Sequence, residues 1–133
     1  MKKVLFVCVH NAGRSQMAEA FFNQMANGRA KGLSAGTQPS GRVNPPAVKV
    51  MREVGLEIGH QKPKMLTSKM LEDVCRIITM GCGVEKACPA LFLPTEDWQI
   101  EDPEGKPLDR VRRIRDEIRA RVERLVAEVV GGS

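Results

Sequence analysis

Residues 4–15 read Val-Leu-Phe-Val-Cys-Val-His-Asn-Ala-Gly-Arg-Ser. An apolar run ends in a cysteine, a short polar loop follows, and residues 16–25 then place apolar side chains at helical spacing. This pattern predicts a buried strand that ends at Cys8 and a helix that begins near Arg14 and Ser15. Strands that alternate with helices build parallel sheets, whose ligands bind beyond the carboxyl ends of the strands. The stretch therefore predicts both the fold class and the position of the site.

We call residues 8–15 the anion loop, because their composition predicts an anion-binding site. The backbone N–H groups of a tight loop before a helix converge, and the helix N-terminus adds partial positive charge. The planar guanidinium of Arg14 suits two parallel hydrogen bonds to a tetrahedral oxyanion. Cysteine thiols ionise more readily beside cations and helix N-termini. Cys8 is therefore the predicted nucleophile, and the predicted substrate-binding residues are Val9, His10, Asn11, Ala12, Gly13 and Arg14.

Three side chains of the anion loop allow more than one role. Ser15 is either a helix N-cap or a hydrogen-bond donor to Cys8, and the two roles are compatible. Asn11 either braces the loop through its amide or occupies a left-handed turn position. His10 has no metal ligands close to it in the sequence, so we expect no metal site there.

Composition limits the kind of protein. A chain of 133 residues is large enough for one domain, which we expect to span residues 1–133. The net charge is +5, and residues 1–64 hold 10 Lys and Arg against 3 Asp and Glu, which favours an anionic substrate. Four Phe, one Trp and no Tyr argue against a nucleic-acid interface. We expect no membrane association and a cytoplasmic protein whose cysteines are reduced.

The predicted architecture is an α/β domain with a small four-stranded parallel sheet and helices on both faces. The pattern predicts strands at residues 3–8, 33–35, 76–80 and 90–93. It predicts helices at 15–25, from Pro45-Pro46 to Gly55, at 67–74 and at 108–130. Residues 94–107, with five carboxylates, are predicted to be a loop. The last helix has one apolar stripe, and its seven arginines are predicted to lie on a solvated face.

Residues 8–19, Cys-Val-His-Asn-Ala-Gly-Arg-Ser-Gln-Met-Ala-Glu, resemble the active-site segment of thioredoxin-coupled arsenate reductases, which have the low-molecular-weight tyrosine phosphatase fold. The similarity continues at residues 34–36, 44–45, 96–98, 102–107 and 112–118, and so covers nearly the whole chain. Gln16 favours the reductase branch, because the phosphatases usually have proline there. The phosphatases also carry an aromatic residue after Asp-Pro, where this chain has Glu104.

The resemblance implies a thiol relay. Cys8 attacks arsenate, Cys82 attacks Cys8 and releases arsenite, and Cys88 moves the disulfide to a Cys82–Cys88 pair that thioredoxin reduces. Asp102, in Asp102-Pro103, matches the general acid of the family. The alternative for Cys82 and Cys88 is that they are ordinary loop thiols. A zinc site with Cys75 is a weaker alternative, because the cysteines lack the close pairing of structural zinc motifs.

The expected protein is a monomer with no bound cofactor, arsenate as substrate and thioredoxin as external reductant. Two other functions remain open: a tyrosine phosphatase that hydrolyses phosphate monoesters, and a non-catalytic oxyanion or redox sensor. Some relatives bind potassium near the first loop, and Asn11, Glu19 and Ser34 match positions of that site. Lys62 and Lys64 occupy the remaining positions, so we expect little stimulation by potassium.

Overall fold

The computed structural model describes residues 2–80 and 95–131. It contains a four-stranded sheet in the order β2-β1-β3-β4, and all three strand pairs are parallel. The elements, in chain order, are β1 (Lys2–Cys8), α1 (Arg14–Ala26), β2 (Ala30–Gly36), α2 (Pro45–Glu53), a 3₁₀ helix (Ser68–Leu71), β3 (Val74–Thr79), β4 (Thr95–Asp97) and α3 (Leu108–Val130). The predicted four-stranded parallel α/β fold is confirmed.

Strand β1 lies in the middle of the sheet and is apolar on both faces. Val4, Leu5, Phe6 and Val7 are fully buried, as expected for a strand that has neighbours on both sides and is covered above and below. It pairs with β2 over its whole length, from Lys2 opposite Ala30 to Cys8 opposite Gly36. This pairing extends β2 beyond the predicted residues 33–35.

The larger core lies on the face of β1 that carries Val4, Phe6 and Cys8, and it contains buried side chains of α1, α2 and α3. Helix α3 has the predicted bounds and buries the predicted stripe. Its arginines are not all on a solvated face, which corrects the prediction. Arg115 is 9% exposed, and its guanidinium donates to the Val50 carbonyl at 2.9 Å and to Glu53 at 3.0 Å. This arginine therefore joins α3 to α2.

The opposite face of the sheet carries a smaller core of Leu5, Val7, Ala35, Val74 and Ile77. The 3₁₀ helix contributes Met70 and Leu71 to this core, so helical segments of the described chain lie on both faces of the sheet. The predicted helix at 67–74 is therefore one short turn. It ends early because β3 already begins at Val74.

Strand β4 corrects the predicted loop at residues 94–107. Thr95–Asp97 pairs with Ile77–Thr79 of β3, although its three side chains are exposed. Such an edge strand is held by its backbone, so no apolar alternation marks it in the sequence. The predicted strand at residues 90–93 lies outside the described residues. None of the described helices has an apolar stretch long enough to span a bilayer.

Candidate active site

The anion loop connects the end of β1 to the start of α1. Helix α1 is capped by Gly13, and Met17 N donates to the Gly13 carbonyl at 2.9 Å. Ser15 is thus the second residue of the helix, and the interpretation of Ser15 as N-cap is wrong. The segment after β2 forms backbone hydrogen bonds with the anion loop. Gln38 N donates to the Val9 carbonyl at 2.8 Å, and Ser40 N donates to the His10 carbonyl at 3.1 Å.

The sulfur of Cys8 receives two hydrogen-bond contacts from the loop. Asn11 N donates to Cys8 Sγ at 3.1 Å, and Ser15 Oγ lies 2.8 Å from the same sulfur. Asn11 Nδ2 donates to Ser15 Oγ at 2.7 Å, so the hydroxyl proton of Ser15 is free to be donated to Cys8. Both contacts stabilise a thiolate at Cys8, which is 2% exposed and forms the floor of the site.

Asn11 has both of its proposed roles. Its φ of 51° is left-handed, a conformation that asparagine tolerates better than most residues. Its Oδ1 accepts from Gln16 Nε2 at 3.1 Å and from Lys64 N at 2.9 Å, while its Nδ2 holds Ser15. The side chain is fully buried. Asn11 therefore braces the loop against both α1 and the segment around Lys64.

Arg14 and Asp102 meet at the edge of the anion loop. Arg14 is 8% exposed, its Nη1 donates to the Ile100 carbonyl at 3.0 Å, and its Nη2 lies 3.8 Å from Asp102 Oδ2. Pro103 packs so closely on Gly13 that a Cβ there would lie 3.0 Å from Pro103 Cγ. These contacts place the predicted general acid beside the predicted oxyanion-binding arginine.

A cavity of about 680 Å³ opens above Cys8, and Arg14 and Asp102 also line it. His10, Ala12 and Gly13 of the predicted set contribute to its wall, but Val9 and Asn11 do not. The side chain of Val9 packs against the smaller core instead, and that of Asn11 is used up in bracing. The rest of the lining comes from residues outside the predicted set: Ser40, Gly41, Arg42, Asn44, Pro45 and Glu104. The matches at residues 44–45 and 102–107 are the signals in the sequence for this part of the lining.

The five carboxylates of residues 94–107 divide into those that bind other side chains of the fold and those that line the cavity. Glu96 accepts from Arg76 at 2.9 Å, and Asp97 accepts from Thr79 at 2.8 Å. Glu101 is held by Arg110 at 2.7 Å, and this hydrogen bond lowers the pKa of Glu101 below its ordinary value. Only Asp102 and Glu104 of the five face the cavity.

Behind the loop, Glu19 of α1 lies near Lys64. Burial raises the pKa of Glu19 above its ordinary value of 4.5, and the positive charge of Lys64 acts in the opposite direction. Gln16 Nε2 donates weakly to the Lys62 carbonyl at 3.4 Å. The residues matched to the potassium site of relatives thus lie around a lysine of this chain.

Of the three other cysteines, Cys75 lies within the described residues. Cys75 lies in β3 and is partly buried against the larger core, away from the cavity. Cys82 and Cys88, the predicted resolving cysteines, lie outside the described residues. Their roles stay predictions.

A buried cysteine at a helix N-terminus, with an arginine in the same loop and an aspartate facing it, defines a protein that attacks tetrahedral oxyanions through sulfur. The chain belongs to the low molecular weight phosphotyrosine protein phosphatase family, whose model matches residues 3–131.

Several similar proteins are arsenate reductases. The glutaredoxin arsenate reductase of Synechocystis is 40% identical over 97% of this chain and 99% of its own. The solved structure of an arsenate reductase in the phosphate binding state has a TM-score of 0.88 at 39% identity, covering 96% of this chain and 98% of that one. The thioredoxin-dependent arsenate reductase of Corynebacterium glutamicum has a TM-score of 0.85 at 33% identity, covering 100% of this chain and 64% of that one.

Proposed function

We propose that the protein reduces arsenate to arsenite. The observation that carries this proposal is the convergence of Cys8, Arg14 and Asp102 on one cavity in a chain that resembles arsenate reductases along its length. Arsenate is a tetrahedral oxyanion, and the loop N–H groups and Arg14 provide the donors to hold it.

The first step is attack by sulfur on arsenic. The Cys8 thiolate forms a sulfur–arsenic bond, and an arsenic–oxygen bond breaks. Asp102 donates a proton to the departing oxygen, which leaves as water. The Asn11 N–H and Ser15 hydroxyl hold the thiolate before this attack. The arsenic remains As(V) in the adduct.

The electrons come from thiols. The Cys82 thiolate attacks Cys8 Sγ, a sulfur–sulfur bond forms, and the sulfur–arsenic electron pair passes to arsenic, which leaves as arsenite, As(III). Cys88 then attacks Cys82, and Cys8 departs as a thiolate that Ser15 again stabilises. Thioredoxin returns two electrons to the Cys82–Cys88 disulfide. No bound cofactor is needed in this scheme.

The direct test is a coupled assay with arsenate, thioredoxin, thioredoxin reductase and NADPH, followed by loss of NADPH. Cys82→Ser and Cys88→Ser should abolish turnover, whereas Cys75→Ser is the matched control and should retain it, because Cys75 lies away from the cavity. Full turnover by both Cys82→Ser and Cys88→Ser would refute the relay. A parallel reaction with glutaredoxin and glutathione identifies the carrier.

Phosphate monoester hydrolysis is the second candidate, because Cys8, Arg14 and Asp102 serve it equally well and the matching family model is that of phosphatases. Rapid hydrolysis of p-nitrophenyl phosphate, without NADPH consumption on arsenate, would favour the phosphatase. A non-catalytic sensor would perform neither reaction. Asp102 argues against a sensor, because a protein that only binds the oxyanion needs no general acid.

We also propose that the protein acts as a cytoplasmic monomer. Among the described residues, Met65 is the large apolar side chain that is exposed, at 54%, and one such residue does not make a dimer interface. Light scattering after size exclusion tests the monomer, and cell fractionation tests the location.

A further inference from the structure

We propose that His10, Asp102 and Glu104 bind a divalent transition metal ion of the zinc type at the mouth of the cavity, and that the bound ion inhibits the enzyme. One ligand atom from each side chain can be chosen so that all three lie within 4.8 Å of one another. The sequence alone predicts no metal at His10, because His10 has no ligands close to it in the sequence. The fold supplies them from the segment after β4.

These three side chains are available as ligands. Within residues 2–80 and 95–131, neither the ring of His10 nor the carboxylate of Glu104 makes a hydrogen bond or ion pair. Asp102 Oδ1 accepts from Glu104 N at 3.0 Å, and Oδ2 forms an ion pair with Arg14 Nη2 at 3.8 Å, a distance too long for a hydrogen bond. The neighbouring carboxylate of Glu101, by contrast, is already bound by Arg110.

The donor set selects the class of ion. One imidazole and two carboxylates suit Zn²⁺ and Co²⁺, whereas Mg²⁺ and Ca²⁺ prefer sites made only of oxygen. Ligand atoms about 2.0–2.2 Å from a zinc ion lie closer together than 4.8 Å, which is the upper limit of the separations in this structure, so at most a small closing of the side chains around the ion is needed. The exposed carboxylates of Asp102 and Glu104 are free to do so. Three protein ligands leave one position open toward the cavity.

The positive charge of Arg14 repels a cation at this site. The negative charges of Asp102 and Glu104 compensate for this repulsion. A metal ion that takes Asp102 removes the group that protonates the departing oxygen. Inhibition therefore follows from occupancy of the site. This second part rests on the proposed function, whereas metal binding itself does not.

The test uses Co²⁺ and the full reduced chain, followed by calorimetry and by absorption. We expect binding without a sulfur-to-cobalt charge-transfer band, because none of the three proposed ligands is a cysteine. His10→Ala and Glu104→Gln should weaken binding by about tenfold or more, since even outer-shell partners of metal sites contribute roughly 10- to 100-fold. His60→Ala, at the other histidine of the chain, and Glu101→Gln are the matched controls and should bind as the unmodified protein does.

Zn²⁺ inhibition of p-nitrophenyl phosphate hydrolysis and arsenate reduction is then measured for each variant relative to its own rate without metal. His10→Ala and Glu104→Gln should lose the inhibition. A cobalt–sulfur band, or unchanged affinity in both variants, would overturn the site, and binding without inhibition would overturn the inhibitory role. If the chain has neither activity, the proposed function and the inhibitory role fail, whereas calorimetry still decides the metal site.

Discussion

Asn11→Ala is the substitution that tests the anion loop most directly. It removes the acceptor of Lys64 N and Gln16 Nε2 and the donor to Ser15 Oγ, and it places alanine at a φ of 51°. A buried donor left without a partner costs about 1–3 kcal/mol, and an ordinary hydrogen bond contributes ~0.5–1.5 kcal/mol. The left-handed backbone adds about 1–2 kcal/mol for a residue such as alanine.

Water that enters the space left by the Asn11 side chain can bind some of the groups that lose a partner, so the total cost is smaller than these contributions added together. We expect Asn11→Ala to lower the free energy of unfolding by about 3–5 kcal/mol. A typical domain has a free energy of unfolding of only roughly 5–15 kcal/mol. Asn11→Gly loses the same hydrogen bonds but accepts the backbone angle, so it should be more stable than Asn11→Ala by ~1 kcal/mol. Asn27→Ala is the matched control: Asn27 is exposed, caps α1 at a φ of 49°, and should cost only the backbone term.

Urea unfolding followed by circular dichroism measures all three variants, and turnover of arsenate and of p-nitrophenyl phosphate is measured beside it. We expect both activities to fall in Asn11→Ala and Asn11→Gly, because Ser15 loses the donor that directs its proton to Cys8, and to persist in Asn27→Ala. If Asn11→Ala and Asn27→Ala lost equal stability, the side chain of Asn11 would not brace the loop and this reasoning would be refuted.

Four further predictions concern the same region. Ser15→Ala should slow turnover by roughly 10- to 100-fold, the kinetic equivalent of one hydrogen bond to a charged group, while Ser15→Thr retains activity; equal rates would contradict the Cys8 contact. Gly36→Ala should destabilise the fold by about 1–3 kcal/mol in thermal unfolding, because its Cβ would lie 2.7 Å from the Val9 carbonyl oxygen, whereas Gly41→Ala meets nothing within 4 Å and should be neutral. Glu19→Gln tests the raised pKa of Glu19: the free energy of unfolding of the unmodified protein, relative to this variant, should fall as pH rises above 4.5 and through that pKa. The reason is that Glu19 keeps its proton in the folded state at pH values where the unfolded state has released it. If urea titrations showed a rise instead, the sign of the pKa shift would be wrong. Replacing sodium with potassium should change the rate little, and a large gain would show that Lys64 does not take the place of the cation.

The parts of the fold that depend on local apolar pattern could be predicted from the sequence. Strand β1 is buried on both faces, and α3 has one continuous stripe, so both were placed within a residue of their observed bounds. Strand β4 could not be predicted, because its three side chains are exposed and show no apolar alternation. The burial of Arg115 also depends on a distant partner, the carbonyl of Val50 in α2.

The same distinction applies to the site. Cys8 and Arg14 are predicted by the motif of the anion loop, whereas Asp102 is predicted by the resemblance to the reductase family. The bracing of Asn11 requires Lys64, which is 53 residues away, and the part of the cavity lining with Arg42 and Glu104 is created when separate loops fold together. No local pattern predicts such contacts, because they arise only from the tertiary arrangement.

The geometry around Cys8 suits both of the candidate chemistries. Asn11 N and Ser15 Oγ contact the sulfur itself, so they stabilise it both as the attacking thiolate and as the thiolate that departs at the end. In ester hydrolysis water attacks phosphorus, and sulfur keeps its oxidation state. In the proposed reduction a second thiol attacks sulfur, and the electrons of the broken bond pass to arsenic. The anion loop is the same in both cases, and the difference between phosphatase and reductase lies in which atom of the adduct is attacked and by what nucleophile.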